Sequence, residues 1–193
     1  MSSLVEHSLP ESSFHLRPMT PADLPHLVQL DADPEVMRYI SDGQPTPEAV
    51  YRDVLIPRML SQATPEGLGF FALEREEETG RHFMGWFHLR RDTFEPSWAE
   101  IGYRLTRACW GRGLATQFSA QLMARAFDVL GFETVSARTM PDNGASRRVM
   151  EKLGMTYQGD FSFPARNLNG MILPAVPGVL YTRSRADWEG RQA

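Results

Sequence analysis

Residues Ala99 to Leu130 read A-E-I-G-Y-R-L, then T-R-A-C, then W-G-R-G-L-A-T at Trp110 to Thr116, then an apolar-periodic run. Glu100, Gly102 and Arg104 alternate with Ile101, Tyr103 and Leu105, which is the period of a strand. Beyond the break, Leu114, Phe118, Leu122, Ala126 and Leu130 recur at i, i+4 spacing, as on the buried face of an amphipathic helix. A glycine-bearing turn therefore joins a strand end to a helix start. The first backbone N–H groups of a helix have no acceptors within it, and the aligned peptide dipoles place partial positive charge there. Gly111 and Gly113 can adopt positive φ and carry no Cβ, so an anion can approach the backbone. Arg107 and Arg112 add formal positive charge. A pyrophosphate fits such a junction; two glycines alone also fit a plain turn.

Farther along, P-D-N-G-A-S-R-R-V-M-E-K-L-G-M runs from Pro141 to Met155. With this second block the sequence resembles the GNAT superfamily of acyl-CoA-dependent N-acetyltransferases, and within it the RimJ/RimL-like branch. Trp110-Gly111-Arg112-Gly113-Leu114-Ala115 is similar to that family's pyrophosphate loop. Asn143, Ser146, Lys152, Leu153 and Gly154 match the branch's second signature, with Met155 where phenylalanine is usual. The likeness extends over residues 14 to 188 and is strongest from Glu100 to Gly159.

The resemblance implies one α/β domain over 14–188; the polar stretch over 1–13 reads as a loose arm before it. Its sheet is expected to be mixed, mostly antiparallel and seven-stranded, opened by a V-shaped split that admits the pantetheine arm, with helices on both faces. It implies acetyl transfer from acetyl-CoA to a primary amine, either a protein N-terminus or a small molecule. The implied cofactor contacts are Trp110, Gly111, Arg112, Gly113, Leu114, Ala115 and Thr116 for the pyrophosphate, and Asn143 and Ser146 for the pantetheine and sulfur. A backbone N–H among Tyr103, Arg104 and Leu105 would hold the thioester carbonyl.

Transfer of an acyl group to an amine needs an unprotonated amine, a stabilised oxyanion and a proton for the leaving thiolate. Glu100, on the strand before the loop, is placed to be the base; a solvated strand carboxylate is the other reading. Asn143 and Ser146 suit ligand binding and equally suit helix capping, where both residue types are favoured. Ser146 is the first candidate acid, and Tyr157 is an alternative acid or simply a strand aromatic.

The chain has 193 residues and a net charge of −4, so no global basic field recruits nucleic acid or an anionic membrane. Cys109 is the only cysteine, which excludes an intrachain disulfide and suits a reducing cytoplasm. It reads as a small half-buried residue rather than a nucleophile. No apolar run approaches the roughly 20 residues of a membrane span. Five histidines are scattered without ligand spacing, so no metal is expected, and the expected assembly is a monomer or homodimer. A non-catalytic acyl-CoA-binding domain is the rival reading; a nucleotide-phosphate enzyme is weaker, since Leu114-Ala115 stands where G-K-[ST] would continue.

Elsewhere, Phe14 to Arg17 alternates as a strand ended by Pro18. Thr20-Pro21 and Asp33-Pro34 read as helix starts. Thr46-Pro47 starts a third helix that Pro57 should kink or break. Gly69 to Leu73 and Phe83 to Leu89 suggest a hairpin around a charged turn, Glu74 to Gly80. Thr134 to Thr139 is expected to lie parallel to the Glu100 strand, and two strands, Met155 to Phe163 and Gly178 to Ser184, flank a loop from Pro164 to Pro177. Arg166, Asn167 and Asn169 are that loop's polar residues. Together with the early helices it is expected to bind the acceptor.

Overall fold

The computed structural model describes residues 13–168 and 170–190. The expected arm therefore lies almost wholly outside the described residues, as does Asn169. In chain order the elements are β1 (Phe14–Pro18), α1 (Leu24–Asp31), α2 (Pro34–Ser41) and α3 (48–60), then β2 (Gly69–Glu77), β3 (Gly80–Arg91) and β4 (Ala99–Leu105). Next come α4 (114–129), β5 (Thr134–Thr139), α5 (Gly144–Lys152), β6 (Thr156–Phe163), β7 (Arg166–Leu168), β8 (Met171–Leu173), β9 (Val176–Ser184) and α6 (Arg185–Glu189).

Seven strands form one sheet in the order β1-β2-β3-β4-β5-β9-β6. Every neighbouring pair is antiparallel except β4 and β5. Alternation along the strands sorts side chains between two helical layers. Phe87, Leu89, Ile101 and Leu105 pack with Leu114, Phe118, Leu122 and Met123 of α4 and Met150 of α5. On the other face Trp86 packs with Leu27, Leu30, Val36, Tyr51, Ile56 and Met59 from α1 to α3. Burial of these two apolar layers, at about 25 cal/mol per Å² of surface removed from water, is the main force holding both sets of helices to the sheet.

The parallel pair explains the split. Its register covers only Ala99 with Val135 and Glu100 with Ser136, whereas β4 stays paired with β3 along its whole length, Gly85 with Leu105 through Arg91 with Ala99. From Ile101 onward β4 and β5 therefore diverge. Thr106 N–H donates to Met84 O at 3.0 Å. In an antiparallel ladder alternate residues aim both backbone groups at the same neighbour, so Arg104, Gly102 and Glu100 share Thr106's direction, toward β3. Tyr103 and Leu105 face the gap.

Three expectations need correction. The 164–177 stretch is no plain loop: β7 and β8 form an antiparallel ribbon within it, and Leu168 and Leu173 bury against Val50 of α3. The charged Glu74 to Gly80 stretch is mostly strand, because Glu74, Arg75, Glu76 and Glu77 pair with Phe83, His82, Arg81 and Gly80 and leave only two residues for the turn. Of the two outcomes expected at Pro57, a kink or a break, the break does not occur. A π-helical turn over Tyr51–Leu55, in which Ile56 N–H reaches Tyr51 O, carries the chain past the missing proline donor. No helix among the described residues is long and apolar enough to cross a membrane.

Candidate active site

At the top of the split, a 3-10 turn (Arg107–Cys109) and the glycine loop lead into α4. Gly111 and Gly113 have φ of +72° and +79°, and a Cβ built on either would meet nothing within 4 Å. The backbone conformation therefore demands glycine, while the space beside it stays open to a ligand. Gly113 is the N-cap of α4, so the N–H groups of Leu114, Ala115 and Thr116 present toward that space. Arg112 lies over the Phe14 ring at 5.3 Å. Arg107 is paired with Asp33 at 2.7 Å and so bonds the loop to the start of α2. Trp110 is 48% exposed, and its indole N–H donates to Leu105 O at 3.0 Å, which occupies the last carbonyl of β4 on the gap side. Leu105 keeps its N–H toward the gap and Tyr103 both groups. Arg104 is turned to β3, and its side chain is fixed on the opposite face of the sheet from α4.

Tyr103 reaches across the opening from β4. Its hydroxyl donates to Ser146 Oγ at 3.5 Å, and Ser146 lies in the first turn of α5, which follows β5. Burial raises the Tyr103 phenol, with Ser146 pulling it down by less, so the phenol stays protonated at neutral pH. Asn143 caps α5, its side-chain oxygen accepting from Ser146 N–H at 3.1 Å; its amide N–H₂ is the part available to a ligand. Tyr157 stands apart. On edge strand β6 it is 46% exposed, and its hydroxyl donates to Asp160 at 2.6 Å, two strands away from the split. The sequence reading passed over the Tyr103 side chain. Its signal was the odd register of β4, which puts it on the same face as Ile101 and Leu105, toward α4 and α5.

Glu100 marks the root of the split on the other face. It is 8% exposed, with Oε2 2.5 Å from Arg90 Nη2 and Oε1 3.6 Å from Arg138 Nη1. The closer contact is an ion pair without hydrogen-bond geometry, and Oε2 has no hydrogen-bond donor. Burial pushes the carboxyl above its ordinary value, and Arg90 and Arg138 offset only part of this. Asp92 holds Arg138 more closely, at 2.5 Å, and also accepts from Ser136 Oγ at 2.5 Å and Phe94 N–H at 2.7 Å. Burial pushes Asp92 upward too, but these donors outweigh it and hold it below the usual range. Asp92 thus draws Arg138 off Glu100 and leaves the latter the more basic of the two.

The same face carries a second buried pair. Arg104 Nη1 donates to Asp31 at 2.5 Å and to Tyr51 O–H at 3.1 Å, and Tyr51 donates to Asp31 at 2.7 Å. Beside it His88 lies between Phe70 and Trp86, with centroids 5.1 and 5.9 Å away. Neither His88 nitrogen has a hydrogen-bond partner. Burial, helped by Arg90, holds the imidazole well below its ordinary value, hence neutral. Gly102 has no Cβ because one would sit 2.6 Å from His88 Cε1. Cys109 is buried in the core, and burial raises its thiol despite Thr106, Arg112 and Arg75; it is not poised as a thiolate. Among the described residues no group of three or more metal-ligating side chains comes together. A cavity of about 520 Å³ between β1, β2, the 59–69 segment and α4 contains none of the candidate residues.

The model of the acetyltransferase (GNAT) domain matches residues 13–156. The FsC-acetyl coenzyme A-N(2)-transacetylase of Aspergillus fumigatus is 31% identical over 141 residues, 69% of this chain and 58% of that protein; the chain thus matches less than two thirds of that relative's length. An uncharacterised N-acetyltransferase of Bacillus licheniformis is 28% identical over 75% of this chain and 79% of its own. Among solved structures, an aminoglycoside acetyltransferase in complex with coenzyme A and kanamycin superimposes with a TM-score of 0.71 at 20% identity, covering 94% of this chain and 100% of that one. Spermidine N-acetyltransferase from Vibrio cholerae, in complex with coenzyme A and spermine, gives 0.69 at 14% identity over 93% and 99%. At such identities these two likenesses establish the fold.

Proposed function

This chain belongs to the acetyltransferase (GNAT) domain family, and from that premise we propose that it transfers the acetyl group of acetyl-CoA to a primary amine by direct attack on the thioester. One observation carries the reading: the edge of β4 left unpaired beyond Glu100 leads, through the Arg107–Cys109 turn, to the positive-φ glycine loop at the start of α4. In this reading the pyrophosphate rests on the N–H groups of Leu114 to Thr116, and the pantetheine arm lies along Tyr103 and Leu105 in place of a strand. Asn143 donates to one of its amides. Second-block residues Asn143 to Met155 favour the RimJ/RimL-like branch, and the acceptor class within it spans protein N-termini and small amines.

Glu100 takes a proton from the ammonium, directly or through one water, and burial makes it a better base than an exposed glutamate. The freed lone pair attacks the thioester carbon. A gap-facing N–H of β4 stabilises the tetrahedral oxyanion. As that intermediate collapses, the carbon–sulfur bond breaks and the sulfur takes a proton from Ser146; the second proton of the attacking nitrogen restores the Tyr103–Ser146 hydroxyl pair, and Glu100 releases the first to solvent. Tyr103 and Ser146, rather than Tyr157, fill the acid role, because they face each other across the split.

The test is thiol release from acetyl-CoA in the presence of amine and peptide pools, with the acetylated product identified by mass. Release that depends on an amine supports transfer. Coenzyme A binding with no amine-dependent release points instead to a non-catalytic acyl-CoA-binding domain.

A further inference from the structure

The face of the sheet that carries Glu100 is rich in arginine although the chain as a whole is acidic. Its carboxylates are already taken: Glu100 by Arg90, Asp92 by Arg138 and Asp31 by Arg104. Two guanidinium groups at its rim have no acidic partner among the described residues, Arg58 and Arg166. Their placement follows from the backbone. Leu168 of β7 buries against Val50 of α3, and Arg166, two residues earlier, projects from the same side of the ribbon. Arg58 lies on the same helix beyond its π turn, exposed, and its charge is among those that act on Arg166. The ribbon and the helix thus bring two unpaired cations to one side of the Glu100 face, with a third, Arg104, anchored beneath them. Burial lowers the Arg166 pKa, and Arg58, Arg104 and Arg90 lower it further, all of them charges of its own sign.

Two like charges left unpaired beside a buried site cost free energy that an anion would recover, and the planar fork of arginine matches a carboxylate or phosphate. We propose that the acceptor is an amine that also bears an anionic group, held by Arg58 and Arg166 while its amine points to Glu100. This rests on the transfer reading above, and it names the acceptor's chemistry: an amino acid-like or phosphorylated amine in preference to a polyamine, whose extra positive charges this rim repels.

The experiment uses the full chain loaded with coenzyme A. Calorimetry follows binding of 4-aminobutyrate, its amide, phosphoethanolamine and spermine, and thiol release from acetyl-CoA is followed for each in parallel. The expected result is that one or both anionic amines bind about tenfold or more tighter than the amide and spermine; which anionic amine wins distinguishes carboxylate from phosphate. In the Arg58→Gln/Arg166→Gln variant that preference disappears while coenzyme A affinity stays as in the parent. Both residues keep much of their surface in water, Arg166 with its guanidinium partly covered, and circular dichroism verifies the fold. Equal or tighter binding of the amide or spermine, no binding of either anionic amine, or a preference that survives the double substitution overturns the proposal. Anion-selective binding without thiol release would leave the subsite standing and remove the transfer reading. Turnover without anion preference would do the reverse.

Discussion

Replacing Gly113 by valine separates the backbone's needs from the ligand's. At φ +79° an L-residue costs about 1–2 kcal/mol and a β-branched one more, yet the new Cβ meets nothing within 4 Å, so no packing clash adds to it. Gly131 makes the control: its φ is +73°, its surroundings are equally empty, and it follows the far end of α4. Gly131→Val should lose about the same stability by urea denaturation and keep its coenzyme A affinity. Gly113→Val should lose affinity as well, since either the valine occupies the phosphate's approach or the loop relaxes and turns its N–H groups away. Loss of two charge-assisted hydrogen bonds at about 1.5–3 kcal/mol each corresponds to roughly 10²–10⁴-fold weaker binding. Calorimetric titration of both variants decides it. A folded Gly113→Val protein that binds coenzyme A as the parent does, or a Gly131→Val protein that loses it equally, would refute the loop's assignment.

Further expectations concern the two faces of the sheet. Tyr103→Phe and Ser146→Ala should each slow turnover about tenfold or more, with Tyr157→Phe unchanged; rates measured with an activated thioester, whose leaving group needs no acid, should recover in both slow variants if they act on the thiolate. His88 is neutral because its pKa is depressed. The unfolded chain binds its proton near 6.5 and the folded chain does not, so stability is greatest above that pH and falls as pH drops below it, by up to about 1.4 kcal/mol per unit. His88→Phe should flatten this fall, by urea melts between about pH 7.5 and 5.5; parallel curves for the two proteins would remove His88 as the cause. Replacing the β7–β8 ribbon by a short glycine–serine link should leave coenzyme A affinity intact and raise KM for the acceptor, and an unchanged KM and acceptor preference would reduce the ribbon to a connection.

Local periodicity made the β4–α4 part of the fold readable. Alternation at Glu100 to Leu105, two glycines and a helical stripe are short-range signals, and the parallel placement of Thr134 to Thr139 follows from the usual crossover of strand, helix and strand. The face of the sheet that carries Glu100 was harder to read because its decisive contacts join distant segments. Arg104 reaches Asp31, 73 residues away, and Tyr51 joins them; neither partner stands in a recognisable motif. Tyr103 was visible only as a source of a backbone N–H until α5 placed Ser146 opposite its side chain. The β7–β8 ribbon was missed because three-residue strands between prolines carry too little pattern to distinguish them from a loop. At Pro57 the helix runs on to Leu60 because the hydrogen-bond pattern has already shifted to a π turn over Tyr51–Leu55.

Whether Glu100 at the root of the split accepts the proton that frees the attacking amine is decided by comparing Glu100→Gln with the parent in thiol release across a pH series, alongside coenzyme A titration. In the variant kcat should fall about 10²–10⁴-fold, coenzyme A affinity should stay within error, and the parent's acid limb, which lies above the ordinary glutamate range because burial raises this carboxyl, should vanish. Parent-level turnover by Glu100→Gln, with the same acid limb, would contradict this role.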